Sequence, residues 1–419
     1  MQPNYIWPGQ NVQPPQKYFD KYRSLGYNQN MKYKYIVLGA GRQGVAIAYD
    51  LAKFCQARSV ILADHDLKLA QTGAARVNNL VKPGISKAVR ADAGNLKSLK
   101  KLFVGADCVV SAVPYHYNYG VASAAVAAGA NFCDLGGNTG VVLKELSLHK
   151  QAKAKGITIV PDTGLMPGMG NTLAAYFINK LDKTDEIHLR CGGLPQKPKP
   201  PLNYKLVFSV EGLINEYFGD AYIVKNGRVA KVPTFDGLEA IEFPKPVGKC
   251  EAFVTSGGTS TAPWTFAGQV KEYDYKTVRY PGHHQKIKTL LELGFFDQTP
   301  LDVKGQKVIP RRVSHALITR AIDFPKDKDL IVLRVTALGK LNGQKVEAKI
   351  DIIDFQDDKT GFTAMERTTG FPAAIVAHHL VQGLAPRGAV PLEKSIDPVL
   401  FIRDFKKRGI PVRETIKKV

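Results

Sequence analysis

The sequence predicts an α/β protein, a doubly wound Rossmann dinucleotide-binding domain combined with an α+β substrate and dimerisation domain. Three observations carry this reading. The apolar run Tyr35-Ile36-Val37-Leu38 feeds directly into Gly39-Ala40-Gly41-Arg42-Gln43-Gly44 and the alanine-rich stretch Val45 to Ala52. A second apolar run, Ser59 to Ala63, ends in Asp64, twenty residues beyond the last glycine of that turn. Past Asn171 the regular alternation of strand-like and helix-like segments gives way to successive strand-like runs separated by turns.

The glycine turn has a physical reason at each position. Gly39 permits the tight exit from the strand, Gly41 lets backbone approach a pyrophosphate, and Gly44 lets the helix pack closely on the strand. Arg42 and Gln43 open that helix, whose free N–H groups and positive dipole end suit the pyrophosphate. Asp64 is placed to accept from the hydroxyls of the adenosine ribose, and its charge repels a 2′-phosphate. The expected cofactor is therefore NAD.

Further along, a helix to about Leu80 leads to a short strand at Ser86 to Arg90 and then to Asp92. Asp92 is a candidate for the adenine amino group or a cap for the helix Asn95 to Phe103. Asp107 to Ala112 is the fourth strand, so Ala112, Val113 and Pro114 should line the nicotinamide ribose at the crevice of the sheet. The aromatic segment Tyr115 to Tyr119 either floors the cofactor or starts the next helix. Asn131 to Leu135 is strand five, Val141 to Lys155 a helix, and Ile157 to Val160 a strand. The loop Pro161 to Asn171 is the crossing between domains, followed by a helix over Thr172 to Leu181. Strands are expected at 186–191, 206–209, 222–224, 250–255 and 270–278. Asp329 to Leu338 and Gln344 to Phe355 form a hairpin about Asn342-Gly343. A helix over Phe371 to Val381 ends at Gly383.

At 419 residues the chain suits two domains. No apolar run approaches the ~20 residues of a membrane span. The proline-rich start lacks the apolar centre of a signal peptide, so a cytoplasmic location is expected. The five cysteines are scattered, with no spacing suited to metal, and are expected to be buried thiols. The formal net charge is +21. Its basic residues are dispersed apart from the tail after Lys406, which argues against a nucleic-acid partner. The expected division is an arm at 1–31, a Rossmann domain at 32–165, an α+β domain at 166–360, and a return to the Rossmann domain with a basic tail at 361–419.

Several motifs jointly resemble the saccharopine dehydrogenase-like group of the saccharopine reductase fold, and within it the NAD-dependent lysine 6-dehydrogenases. They are the glycine turn, Pro161-Asp162-Thr163-Gly164-Leu165-Met166-Pro167-Gly168, Cys191 to Pro195, Pro201 to Lys205 with Phe208-Ser209 and Gly212 to Ile214, Thr255 to Thr261, Lys276 to His283, and Arg367 to Ala374. The resemblance covers about residues 33 to 395. It implies that the middle of the chain is an insertion, that the protein is a homodimer or larger, and that it oxidises an amine. The 31-residue arm is a departure from the shorter start expected of such proteins. The Lys–His pair of the fungal lysine-releasing enzymes is not carried over, because their sequence pattern differs.

Oxidative deamination needs a group that removes a proton from an amine whose pKa is near ~10.4. His283, which follows Tyr280-Pro281-Gly282 and so should stand at a loop tip, is one candidate; Lys205 is the other. Lys205 could instead pair with a substrate carboxylate. Arg279 and Arg311 or Arg312 could grip a carboxylate in bidentate fashion or form structural ion pairs. Tyr204, Thr255 and Ser256 are further candidates for substrate contacts. Asp162 and Asn171 either touch substrate or cap the helix from Thr172. Glu211 and Glu216 are possible partners for a distal ammonium. No metal-binding group is expected. A saccharopine-type reaction on a secondary amine and a non-catalytic NAD-binding role are the alternatives.

Overall fold

The structure is a computed structural model that describes residues 33–419; the expected arm at 1–31 lies outside the described residues. The first sheet alternates strand and helix. Its opening half runs β1 (Tyr33–Leu38), α1 (Arg42–Phe54), β2 (Ala57–Asp64), α2 (Leu67–Leu80), β3 (Ser86–Arg90) and α3 (Leu96–Phe103). It continues through β4 (Cys108–Ser111), α4 (Asn118–Ala128), β5 (Asn131–Asp134), α5 (Thr139–Leu146), α6 (His149–Ala154) and β6 (Thr158–Val160). All neighbours are parallel, in the order β6-β5-β4-β1-β2-β3. Tyr35, Ile36 and Val37 are fully buried, as both faces of a parallel sheet must be.

After α7 (Gly170–Lys180) the chain builds a second sheet from β7 (Lys183–Pro195), with α8 (Val210–Asn215), β8 (Asp220–Lys225), β9 (Arg228–Pro233), β10 (Glu239–Phe243) and β11 (Gly248–Phe253) following. Then come α9 (Ala262–Phe266), β12 (Glu272–Arg279), α10 (His283–Glu292), the small hairpin β13 (Leu301–Val303) and β14 (Gln306–Val308), and α11 (Pro310–Ile322). The long hairpin β15 (Asp329–Leu341) and β16 (Gln344–Phe355) completes this region. Its turn uses Asn342 and Gly343 at φ of 50° and 75°, the conformation that Asn-Gly adopts most easily. Within this sheet β7 and β12 are parallel and the other pairings antiparallel.

The chain then returns. The helix α12 (Ala364–Val381) packs on α1, β4 and β5, and β17 (Gly388–Ala389) joins the first sheet beside β6. Short helices α13 (Leu392–Ser395) and α14 (Pro398–Lys406) follow. The last segment is not a free basic tail: β18 (Arg413–Lys418) pairs with β16 as an edge strand of the second sheet, and its charges suit that exposed edge.

Other differences have local causes. The helix expected over 141–155 divides at Ser147, whose hydroxyl donates to the Lys144 carbonyl at 2.6 Å. Residues 206–209 form no strand. The last long helix begins at Ala364 instead of Phe371, because Thr363 and Glu366 close a capping box and Asp329 accepts from the Ala364 and Met365 amides. Pro372 lies inside this helix without ending it, since tertiary packing buries the surrounding turns.

Candidate active site

The glycine turn is shaped as its sequence requires. Gly39 has a φ of +103°, and a Cβ there would stand 2.6 Å from the Ala112 carbonyl oxygen. A Cβ on Gly44 would lie 1.8 Å from the Gly39 oxygen, whereas one on Gly41 would meet nothing within 4 Å. That open space sits at the start of α1, which has no side-chain cap and no acid in its first turn. Bare N–H groups beside an open backbone fit a pyrophosphate. Ala112 and Val113 lie against Gly39, and Pro114 leads into a short turn over Tyr115–Tyr117 that precedes α4.

Asp64 is buried at the end of β2 and braces this turn. Its carboxylate accepts from the Ala40 amide at 2.7 Å and the Asp66 amide at 3.0 Å, and lies 2.8 Å from His65 Nδ1. Asp92 is exposed and accepts from the Gly94 amide, while Asn95 and not Asp92 caps α3. Gln43 donates to the Met365 carbonyl at 3.4 Å, so the second helical residue touches the returning segment. Arg42 is exposed.

The crossing between the sheets brings together acids. Asp134 at the end of β5, Glu145 on α5 and Asp162 after β6 are all buried. Asp134 accepts from the Gly136 amide at 2.6 Å, but its Oδ2 and both Glu145 oxygens have no donor. Two such carboxyls facing one another need a shared proton, and burial followed by the Asp134 charge raises Glu145 far above the usual carboxylate range. Asp162 sits at φ +61° and accepts from the Ser260 hydroxyl of the second sheet's loops, leaving Oδ1 without a partner. Burial, and next the Asp134 charge, push Asp162 up to about 7. Asn171 does not cap a helix. It donates to the Thr259 carbonyl and accepts from Tyr273, joining α7 to the loop that carries Ser260.

His283 does not stand at a loop tip. It is the first residue of α10 and 1 % exposed. Its Nδ1 lies 3.2 Å from the Leu202 carbonyl, which can only accept, so Nδ1 carries the proton. Nε2 is then the acceptor for the Tyr217 hydroxyl at 2.9 Å. Burial and the Arg279 charge hold the imidazole down to about 3. With its lone pair occupied, this ring is poorly suited to take a substrate proton.

Arg279 is 2 % exposed, over the Tyr204 ring at 5.0 Å and 3.5 Å from Glu216. Its Nε has no hydrogen-bond partner, and neither has the buried Thr255 hydroxyl. Ser256 is anchored through its amide to the Glu216 carbonyl. Glu216 keeps about a third of its side-chain surface open, yet desolvation raises it to about 7. Arg311 is a structural ion pair: it binds Glu211 at 2.6 Å and also Asn215. With Arg312, His315, Gln298 and Ile309 it borders an open recess of about 340 Å³. Lys205 neighbours Tyr204 in sequence, and its side chain is largely buried. Desolvation holds its amine below the usual lysine range. The five cysteines are buried and unpaired.

A parallel sheet with an uncapped glycine turn, joined to a second sheet across a buried polar seam, defines a dinucleotide-binding α/β protein. The chain belongs to the saccharopine dehydrogenase family. The family's NADP-binding domain model matches residues 35–160 and its C-terminal domain model residues 164–410. A saccharopine dehydrogenase [NADP(+), L-glutamate-forming] of Pyricularia oryzae is 28% identical over 385 residues, which is 74% of this chain and 84% of that protein. The Schizosaccharomyces pombe protein of the same name is 27% identical, over 51% of this chain and 49% of its own length. The mitochondrial alpha-aminoadipic semialdehyde synthase of Bos taurus is 24% identical, over 96% of this chain and 50% of its length. Thus the chain spans about half the length of several curated relatives it matches. Apo saccharopine dehydrogenase (L-Glu forming) from Saccharomyces cerevisiae shares the fold, with a TM-score of 0.74 at 20% identity over 92% of this chain and all of that one.

Proposed function

We propose that the protein oxidises L-lysine at its ε-carbon with NAD, giving 2-aminoadipate 6-semialdehyde, which closes to piperideine-6-carboxylate, and ammonia. The observation that carries this reading is the buried Asp162 at the seam, one of whose oxygens has no partner. Asp134, Glu145, Asp162 and Glu393 are buried acids there, and the Thr261 hydroxyl donates to Glu393. A buried carboxyl with an open oxygen among other acids is suited to take up a proton from an amine.

Asp162 Oδ1 takes the ammonium proton, and a group poised near neutrality is matched to that task. Ser260 steadies the other oxygen. The glycine turn and the uncapped start of α1 would hold NAD, which would supply the hydride acceptor for the ε-carbon. Water then adds to the iminium and ammonia leaves. Arg279, Thr255 and Tyr204 hold the amino-acid end, where the unpartnered Nε and hydroxyl await an acceptor or donor. The preference for NAD rests on Asp64, whose carboxylate would repel a 2′-phosphate.

The saccharopine-type reaction is the second reading. The names of the curated relatives favour it, and the recess bordered by Arg311, Arg312 and His315 offers Arg312 for a further carboxylate, Arg311 there being paired with Glu211. Reduction of NAD and of NADP is measured with L-lysine, L-ornithine and saccharopine, and ammonia is assayed. Lysine turnover with NAD and stoichiometric ammonia is the expected outcome. Turnover of saccharopine alone, or of lysine with NADP alone, overturns the reading in substrate or in cofactor respectively.

A further inference from the structure

The carboxyl of Asp162 owes its place to β5 and the turn that follows it. Asp162 stands at φ +61°, a left-handed conformation that a residue with a side chain keeps only where its surroundings hold it. The hold comes from Asp134, the last residue of β5. Its Oδ1 accepts from the Asp162 amide at 3.2 Å and from the Gly136 amide at 2.6 Å. Its carbonyl accepts from the Thr163 amide at 2.8 Å and the Thr163 hydroxyl at 2.6 Å. One residue thus fastens the amides on both sides of the Asp162 Cα, and the same oxygen fixes the turn after β5. Asp134 and Thr163 are both fully buried, so water does not compete for these bonds.

Gly136 completes the arrangement by having no side chain. It sits at φ +72°, and a Cβ there would fall on Asp162 Oδ1, 2.6 Å from the Asp162 Cγ and 3.1 Å from its Cα. The carboxyl of Asp162 fills the room that a side chain at 136 would take. From the other side Ser260 donates to Oδ2, which leaves Oδ1 as the oxygen without a partner.

We infer that Asp134 and Gly136 are positioning residues for Asp162: Asp134 fastens the backbone that carries it, and Gly136 leaves open the space its carboxyl occupies. The inference rests on Asp162 being the proton acceptor, and not on which amine is oxidised or on the choice between NAD and NADP.

A double-variant cycle on the full chain tests it. Wild type, Gly136→Ala, Asp162→Ala and the double variant are compared for kcat and KM, with L-lysine or saccharopine, whichever wild type oxidises. NADH affinity is followed by fluorescence, and Tm by thermal melting. Asp162→Ala lowers kcat about 100-fold or more, as loss of a proton acceptor does. Gly136→Ala lowers kcat about 100-fold by displacing the carboxyl, with KM and NADH affinity within about 3-fold of wild type. In the Asp162→Ala background the same change costs less than about 3-fold in kcat, and less in Tm than it does in wild type, because the carboxyl it strikes is gone. Equal losses of kcat in both backgrounds overturn the inference by making Gly136 independent of Asp162. An NADH affinity that falls together with kcat overturns it too, by placing the effect at the cofactor. Wild-type kcat in Asp162→Ala is a separate result, which overturns the proton-accepting role itself and the inference with it. Should Gly136→Ala fail to fold, Asp134→Asn, which keeps an oxygen for both amides, is compared with Asp134→Ser, whose shorter side chain does not reach them. Retention of kcat within about 10-fold in the first and a loss of about 100-fold in the second support the inference, and equal kcat in the two contradicts it.

Discussion

At His283 the surroundings decide a role that residue type leaves open. With Nδ1–H on the Leu202 carbonyl and Nε2 accepting from Tyr217, the ring is a neutral connector between buried groups. His283→Ala should cost about 1–3 kcal/mol of stability by leaving those partners unsatisfied. It should leave the pH profile of kcat/KM without a lost basic limb. Chemical denaturation and a pH–rate series check both statements.

Asp162 makes the opposite prediction. Its folded value of about 7 lies above the ~3.9 of a free aspartate. Between those two values the folded state holds a proton that the unfolded chain has released, so stability falls as pH rises through the window. Asp162→Asn should make the decline of Tm from about pH 4 to 7 shallower. It should also remove a limb near neutrality from kcat/KM. A Tm slope and a rate profile both identical to wild type would exclude the role assigned to Asp162.

At the scale of the element, the glycine turn separates binding from folding. Gly41→Ala places a methyl group in open space, so the Tm of the free protein should stay nearly unchanged while affinity for NADH falls at least 10-fold. Gly44→Ala drives a methyl group into the Gly39 carbonyl and should destabilise the α1–β1 packing itself. Thermal melting with and without NADH distinguishes the two variants. This element was legible from sequence because its signals are local: strand, glycine spacing, helix and terminal acid all fall within about thirty residues. The helix α12 was less so. Its start depends on Asp329, a residue thirty-five positions away whose carboxylate meets the first amides.

Across the whole molecule, the chain is closed by contacts of long sequence separation. Arg408 binds Asp50 at 2.6 and 2.8 Å, with the two side chains 3 % and 0 % exposed. This pair clamps the segment after α14 onto α1. Arg408→Met leaves a buried carboxylate without its cation and should cost about 3–5 kcal/mol, read as a fall in the denaturant midpoint. The pairing of β18 with β16 ties the same segment to the second sheet. Both sheets are therefore joined by the last residues of the chain as well as by the crossing at 161–171.

By itself the sequence determined the dinucleotide-binding half, through the glycine turn, the strand–helix alternation and Asp64, and in the second sheet the Asn-Gly hairpin; all of these follow from local sterics and periodicity. It also supplied the motifs that resemble the family to which the chain belongs. Tertiary structure alone decided which side chains meet. It buried His283, tied Arg311 to Glu211, and gathered Asp134, Glu145 and Asp162. Those outcomes were not legible because burial, and with it the charge and hydrogen-bonding state of an ionisable group, depends on atoms contributed by distant parts of the chain.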